Sequence, residues 1–257
     1  MTCHTVVYYS SSVGTSDSEL RAVKDDVLTR TTENRYLVPS DRNRIDWAFA
    51  YSQTLKSVML VSPSLEVRRT RQYLKYAFSG TLGTGFRNYV EKFIRPITLV
   101  PSEELSVFAR TGTSAGEPVY VVVNLAPETL PEAPAGDVIR IVGRGSTTLT
   151  PNEWTSVKLT LDYALEAGTY ALINFVPISA TCIVARALIP GQAYRPGRLG
   201  IAGSALTETY TVHGLHDILL GHYNMGLFTH ITVPEFQFFS TGADTSQLVI
   251  MDVVKVG

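Results

Sequence analysis

Apolar and polar positions alternate with a period of two over much of the chain, the mark of strands with one wet face. The clearest case is 156–165, where Val157, Leu159, Leu161 and Tyr163 alternate with Lys158, Thr160 and Asp162. Runs rich in β-branched and aromatic residues, punctuated by Gly, Pro, Asn and Asp, predict further strands over 47–61, 119–125, 138–142, 169–176, 182–189, 228–239 and 248–256. Residues 97–125 read as a hairpin, and 231–254 as a near-echo of it. Glu166-Ala-Gly168 parts two strand runs at hairpin distance. Helical periodicity is scarce. Ser16 with Glu19 resembles a capping box, and Leu20, Val23 and Val27 then share one helical face, which predicts a short N-terminal helix over about 18–30. Weaker helical patterns fall at 73–78, 89–94 and 215–220.

The two hairpin-like stretches lie about half the chain apart, and other parallels follow in the same order. Asp46-Trp47 opens the strand region 47–61, as Glu153-Trp154 opens the run from Ser156. An aromatic, Gly-interrupted segment precedes each echo, at 73–93 and 210–228. Pro127, Pro131 and Pro134 sit near the midpoint, directly after the first echo. Any all-β chain contains hairpins that resemble one another, but shared order, a central joint and near-equal halves favour a tandem repeat. The expected fold is all-β: two tandem jelly-roll domains, 1–130 with its short helix and 138–257, joined by a linker at 131–137. Long irregular segments such as 191–203 fit jelly rolls, whose connections cross between sheets.

Composition narrows the function classes. Of 257 residues 45% are apolar and only 18% charged, with a net charge of −1. Such a balance argues against wrapping nucleic acid by bulk electrostatics, and no block of like charges forms a basic arm. The start Met-Thr-Cys-His-Thr-Val-Val-Tyr-Tyr lacks the features of a signal peptide, and no apolar run is long enough to span a membrane. The expectation is a soluble protein made in a cytoplasm. Cys3 and Cys182 are its two cysteines, and Cys182 lies in an apolar run, so a buried thiol is expected there rather than a bridge.

Candidate chemistry is thin. His213, His216, His222 and His230 cluster, and His213 and His216 with Asp217 offer a partial metal-ligand pattern. Gly214 breaks the helix that this pattern needs, so polar interface or surface histidines are the better reading. Gly80 to Gly85 and Gly143-Arg-Gly145 lack the lysine and βαβ context of phosphate loops and read as turns. No nucleophile elbow occurs, and the acidic pairs Glu103-Glu104 and Asp25-Asp26 are adjacent, so their side chains point apart. The expectation is a protein that is not an enzyme, with no catalytic, cofactor-binding or metal-binding residues. Two basic groupings remain. Arg68, Arg69, Arg71, Lys75, Arg87, Lys92 and Arg95 are interleaved with Tyr73, Tyr76, Phe78 and Phe86, and read as a solvated face or as inter-subunit ion pairs. Tyr194-Arg-Pro-Gly-Arg198 reads as an exposed turn suited to a subunit contact.

The repeated stretches 97–125 and 231–254, and the prolines between Pro127 and Pro134, resemble the double jelly-roll major capsid proteins of tailless icosahedral double-stranded DNA viruses and phages. The resemblance is architectural and carries no short diagnostic motif. It implies a homotrimer of pseudo-sixfold outline that tiles an icosahedral shell. It further implies a location in the virion, contacts with penton or minor capsid proteins and with an inner membrane or packaged DNA, and no small-molecule substrate. The helix expected over 18–30 is then a candidate clamp onto a neighbour. The alternative class is a non-catalytic β-sandwich binding module, lectin-like or a phage receptor-binding or tail component, using Tyr194, Tyr210 and Tyr223 as stacking surfaces.

Overall fold

Segments dense in Val, Ile, Tyr and Phe fit a pleated, half-buried surface, and in the computed structural model they pair as strands. The structure describes residues 2–67, 72–74, 78–79, 90–202 and 220–257. Eight strands carry the first half: β1 (His4–Val13), β2 (Arg35–Leu37), β3 (Arg44–Ser52), β4 (Leu55–Val61), β5 (Gln72–Tyr73), β6 (Glu91–Thr98), β7 (Glu104–Thr111) and β8 (Glu117–Ala126). They make two sheets, ordered β1-β8-β3-β6 and β2-β7-β4-β5. The second half supplies β9 (Val138–Gly145), β10 (Trp154–Val157), β11 (Thr169–Ser179), β12 (Cys182–Leu188), β13 (Gly197–Leu199), β14 (Gly226–Thr229), β15 (Glu235–Ser240) and β16 (Gln247–Lys255). Their sheets run β9-β16-β11-β14 and β10-β15-β12-β13. Strand for strand the wiring is identical. Each unit pairs its first, eighth, third and sixth strands, and separately its second, seventh, fourth and fifth. This is the strand order of a jelly roll. The chain is all-β, built of two jelly rolls in tandem.

The repeat extends to small features. A two-residue parallel strand lies against the end of β3, pairing Tyr51 and Ser52 with Phe78 and Ser79. Another lies against the end of β11, pairing Ile178 and Ser179 with Ile201 and Ala202. Chain contacts divide the molecule into Thr5–Glu128 and a second unit of Thr129–Gly257 with Met1–His4. Each unit has its own core. In the first, Tyr8 and Tyr36 meet edge to face at 5.2 Å, and the Tyr8 hydroxyl donates to the Leu105 carbonyl at 2.7 Å. In the second, Phe175 of one sheet meets Phe236 of the other at 5.0 Å, and Phe239 meets Trp154 at 5.7 Å. Aromatic contacts of this kind add about 1 kcal/mol to the area they bury.

Several expectations are corrected. Residues 18–30 do not form a helix. Ser18 and Glu19 pair with Ala109 and Phe108 of β7, and Arg21 and Ala22 with Tyr9 and Tyr8 of β1. Glu19 does not close a capping box, because its carboxylate accepts from Arg35 Nε at 2.9 Å. Asp25 instead caps a tight turn, accepting from the amides of Val27 and Leu28. Sheet neighbours satisfy the backbone groups that a helix would have satisfied internally, and β-branched Val23 and Val27 favour that outcome. The clamp reading falls with the helix. Residues 91–94 are likewise strand, as part of β6. Pro63–Val67 form a short helix, α1, with proline at its first position, where a missing N–H costs nothing.

The expected hairpins are also different objects. β7 and β8 follow each other in sequence but belong to opposite sheets, as do β15 and β16. The run 47–61 breaks at Gln53-Thr54 into β3 and β4, again in opposite sheets. Among the eight principal strands of each unit, consecutive ones pair only at β4–β5 and β12–β13. From Thr129 on, the proline-rich stretch after β8 belongs to the second unit. Pro131 accepts from the Asn224 amide at 3.0 Å, and Ala133 packs on Ala171, Ile173 and Val254.

Candidate assembly surfaces

On the first unit, α1 stands over one end of the β2-β7-β4-β5 sheet. Leu65 anchors it at 2% exposure, and Glu103 holds its start by accepting from the Ser64 amide at 2.9 Å and the Ser64 hydroxyl at 2.7 Å. The same carboxylate accepts from the Val100 amide at 2.8 Å, which ties the 100–103 turn to the helix. Beside α1, between it and Asp17, opens a cleft of about 380 Å³. Met59 and Phe108, directly opposed across β4 and β7, line it with Val61, while Asp17 and Glu66 stand on the rim. Arg35 is committed within it, to Glu19 at 2.9 Å and Glu104 at 3.0 Å. Hydrogen bonds from Thr31 and then Arg35 hold the Glu104 carboxyl below its ordinary range, and those same bonds to Glu104 and Glu19 raise the Arg35 guanidinium further. Asp17 and Glu66 have no ion-pair partner among the described residues. The cleft thus combines apolar Met59, Val61 and Phe108 with the paired Arg35 and Glu104, and is acidic at the edge.

The opposite sheet of that unit ends in β6. Its Lys92 is paired with Asp46 at 2.5 Å, but its register then jumps, so that Lys92 faces Trp47 and Ile97 faces Ile45. The residues between are pushed out of the ladder. Ile94 is fully exposed, and Arg95 beside it is exposed without an ion pair among the described residues. Of the basic stretch seen in the sequence, Arg68, Arg69, Arg71, Lys75 and Arg87 lie outside the described residues, as do Tyr76, Phe86 and the loop from Gly80 to Gly85.

The second unit overturns the surface reading of 194–198. Arg198 is 4% exposed; its Nε donates to Asn174 Oδ1 at 2.9 Å, its Nη2 donates to the Gly221 carbonyl at 2.8 Å, and it lies over the Tyr223 ring. Tyr223 is therefore a core residue at 5% exposure, Tyr194 is half-buried against His4, and Tyr210 lies outside the described residues. Arg186, fully buried, donates to Gln237 Oε1 at 2.8 Å and stacks over Trp154 at 4.1 Å. Its signal in the sequence is a lone arginine inside the apolar run 182–189.

His213, His216 and Asp217 lie outside the described residues. His230 Nδ1 accepts from the Gly168 amide at 3.3 Å, and His222 Nε2 lies 3.5 Å from Asn174 Nδ2. Among the described residues no three His, Cys, Asp or Glu side chains gather as a metal site would require. Cys3 and Cys182 are buried free thiols. Burial first, and the Asp244 charge second, raise the Cys182 thiol pKa far above the ordinary value, so it stays protonated.

No family model matches the sequence, and no curated protein matches it. Among solved structures, the chain is similar to the major capsid protein P2 from bacteriophage PM2, at 9% identity over 100% of this chain and 98% of that one, with a TM-score of 0.26. A score of that size does not establish a shared fold, and the jelly-roll assignment rests on the strand order of each unit.

Proposed function

We propose that the chain is a shell-forming structural protein, a viral major capsid protein that trimerises and tiles an icosahedral particle, and that it is not an enzyme. The observation that supports this reading is the duplicated jelly roll, wired identically in both halves. Three copies of a chain with two like lobes offer six like lobes, and such a ring packs against its neighbours in near-hexagonal contacts. The light charge, 18% of residues at a net −1, suits surfaces that are buried against copies of the same chain. In this reading the protein resides in the virion, meets penton or minor capsid proteins, and lies over an inner membrane or packaged DNA.

The test is the mass of the purified protein in solution, combined with negative-stain microscopy. Trimers that associate into sheets or closed particles are expected. A stable monomer at all concentrations that binds glycans on an array would overturn the reading in favour of a binding module.

A further inference from the structure

An exposed isoleucine at the tip of a bulge leaves its whole apolar side chain in water unless something covers it. β6 is the edge of its sheet, and bulges with a proline commonly blunt such edges against unwanted pairing. Pro96 serves that purpose here, but Ile94 does not. Among the large apolar side chains of the described residues it is the most exposed, at 101%, and Arg95 sits directly beside it. The tip thus presents one apolar side chain and one cation, neither of them used within the described chain. The cleft beside α1 presents the complement: apolar Met59 and Phe108 inside, with Asp17 and Glu66 on the rim. Its own cation, Arg35, is already held by two carboxylates.

We propose that the Ile94-Arg95 tip of one copy seats in the α1 cleft of a second copy, with Ile94 against Met59 and Phe108 and the Arg95 guanidinium beside Asp17 and Glu66. The proposal rests on the shell-forming reading and assigns one of its contacts. Charge complementarity selects a copy of this chain as the occupant, since tip and cleft carry opposite charges that form no ion pair among the described residues. Because the tip and cleft are different patches, the contact is heterologous, and every copy offers one of each, so it propagates around a ring or along a lattice.

Charge reversal tests it. Arg95→Glu and Glu66→Lys should each raise the protein concentration needed for assembly by about tenfold or more, read by light scattering and negative stain. The double variant R95E/E66K, which swaps the pair, should recover most of the loss. Both positions are exposed, so circular dichroism should match that of the unaltered chain. As a second measurement, a tagged Ile94→Cys chain mixed with an untagged Glu66→Cys chain should give a disulfide-linked pair of unlike chains on mild oxidation. If the unaltered chain assembles and both single variants assemble at the same concentration, or the unlike pair never forms in assembled material, the contact is wrong and the shell reading stands. If the unaltered chain never self-associates, the shell reading fails and the contact with it.

Discussion

Two arginines in the second jelly roll are hidden from water, and each is held in a different way. Arg186 is shared with Arg195 on a single acceptor, Gln237 Oε1, at 2.8 and 2.6 Å, with Trp154 beneath its guanidinium. Arg198 spans three segments, reaching Asn174 on β11 and the Gly221 carbonyl and covering Tyr223. A buried guanidinium is tolerated only when its donors are met, so the network is worth more than any one bond in it. Arg198→Ala is expected to destabilise the second unit by about 2–4 kcal/mol, by removing the donor to Asn174 Oδ1 and opening a void over Tyr223. Arg198→Lys should recover little, since an ammonium has neither the planar fork nor the stacking face. Urea unfolding followed by near-ultraviolet circular dichroism measures both; a loss below about 0.5 kcal/mol for the alanine variant would show that the network is idle. Arg186 left a trace in the sequence, as a lone arginine inside the apolar run 182–189, but the burial of Arg198 left none. Within 194–198 the residues Pro-Gly and two arginines favour a turn in water, and only packing brings Asn174, Gly221 and Tyr223 around Arg198.

At the scale of elements, the echo between 97–125 and 231–254 was legible, while its meaning was not. Alternation marks strands, but it carries no information about which sheet a strand joins, so β7 and β8 looked like partners when the chain in fact crosses between sheets. What fixes the crossing is a carboxylate from this corner gripping the turn between the third and fourth strands. Glu117 accepts from the Ser52 hydroxyl at 2.5 Å and the Thr54 amide at 2.6 Å. Asp244 does the same for the second unit, accepting from the Ser179 hydroxyl at 2.5 Å and the Ala180 amide at 2.9 Å. The two carboxylates differ in sequence position within the corner, which hid the correspondence. For Asp244, burial pushes its pKa up, but the bonds from Ser179 and the amides of Ala180, Ser246 and Thr245 outweigh burial and hold it below the ordinary value. A carboxyl whose pKa is lower folded than unfolded contributes stability that is complete above the unfolded value, near 4, and is lost as pH falls through the folded one. Asp244→Asn should therefore cost about 1 kcal/mol at neutral pH, and its Tm should converge on that of the unaltered chain as pH falls through the lowered folded value. A constant gap in Tm from pH 7 to pH 2.5 would refute the assignment.

At the scale of the whole molecule, each jelly roll closes its own sheets around its own aromatic and aliphatic residues. Leu60 is fully buried in the first unit, and Phe236, seated on Phe175, in the second. Truncating either leaves a void that the neighbouring strands cannot close, at about 3–5 kcal/mol for Phe236→Ala and 2–5 kcal/mol for Leu60→Ala. If the cores are separate, each loss stays in the unit that holds the residue. Hydrogen exchange then reads it strand by strand. Phe236→Ala should speed exchange in β10, β12 and β15 while β4, β7 and β8 keep their protection, and Leu60→Ala should do the reverse. In the double variant the two losses should add to within about 0.5 kcal/mol, as expected for sites that share no neighbours. Faster exchange across both halves from either substitution alone would mean that the chain unfolds as one cooperative block. The duplication would then be one of wiring without a matching independence of stability.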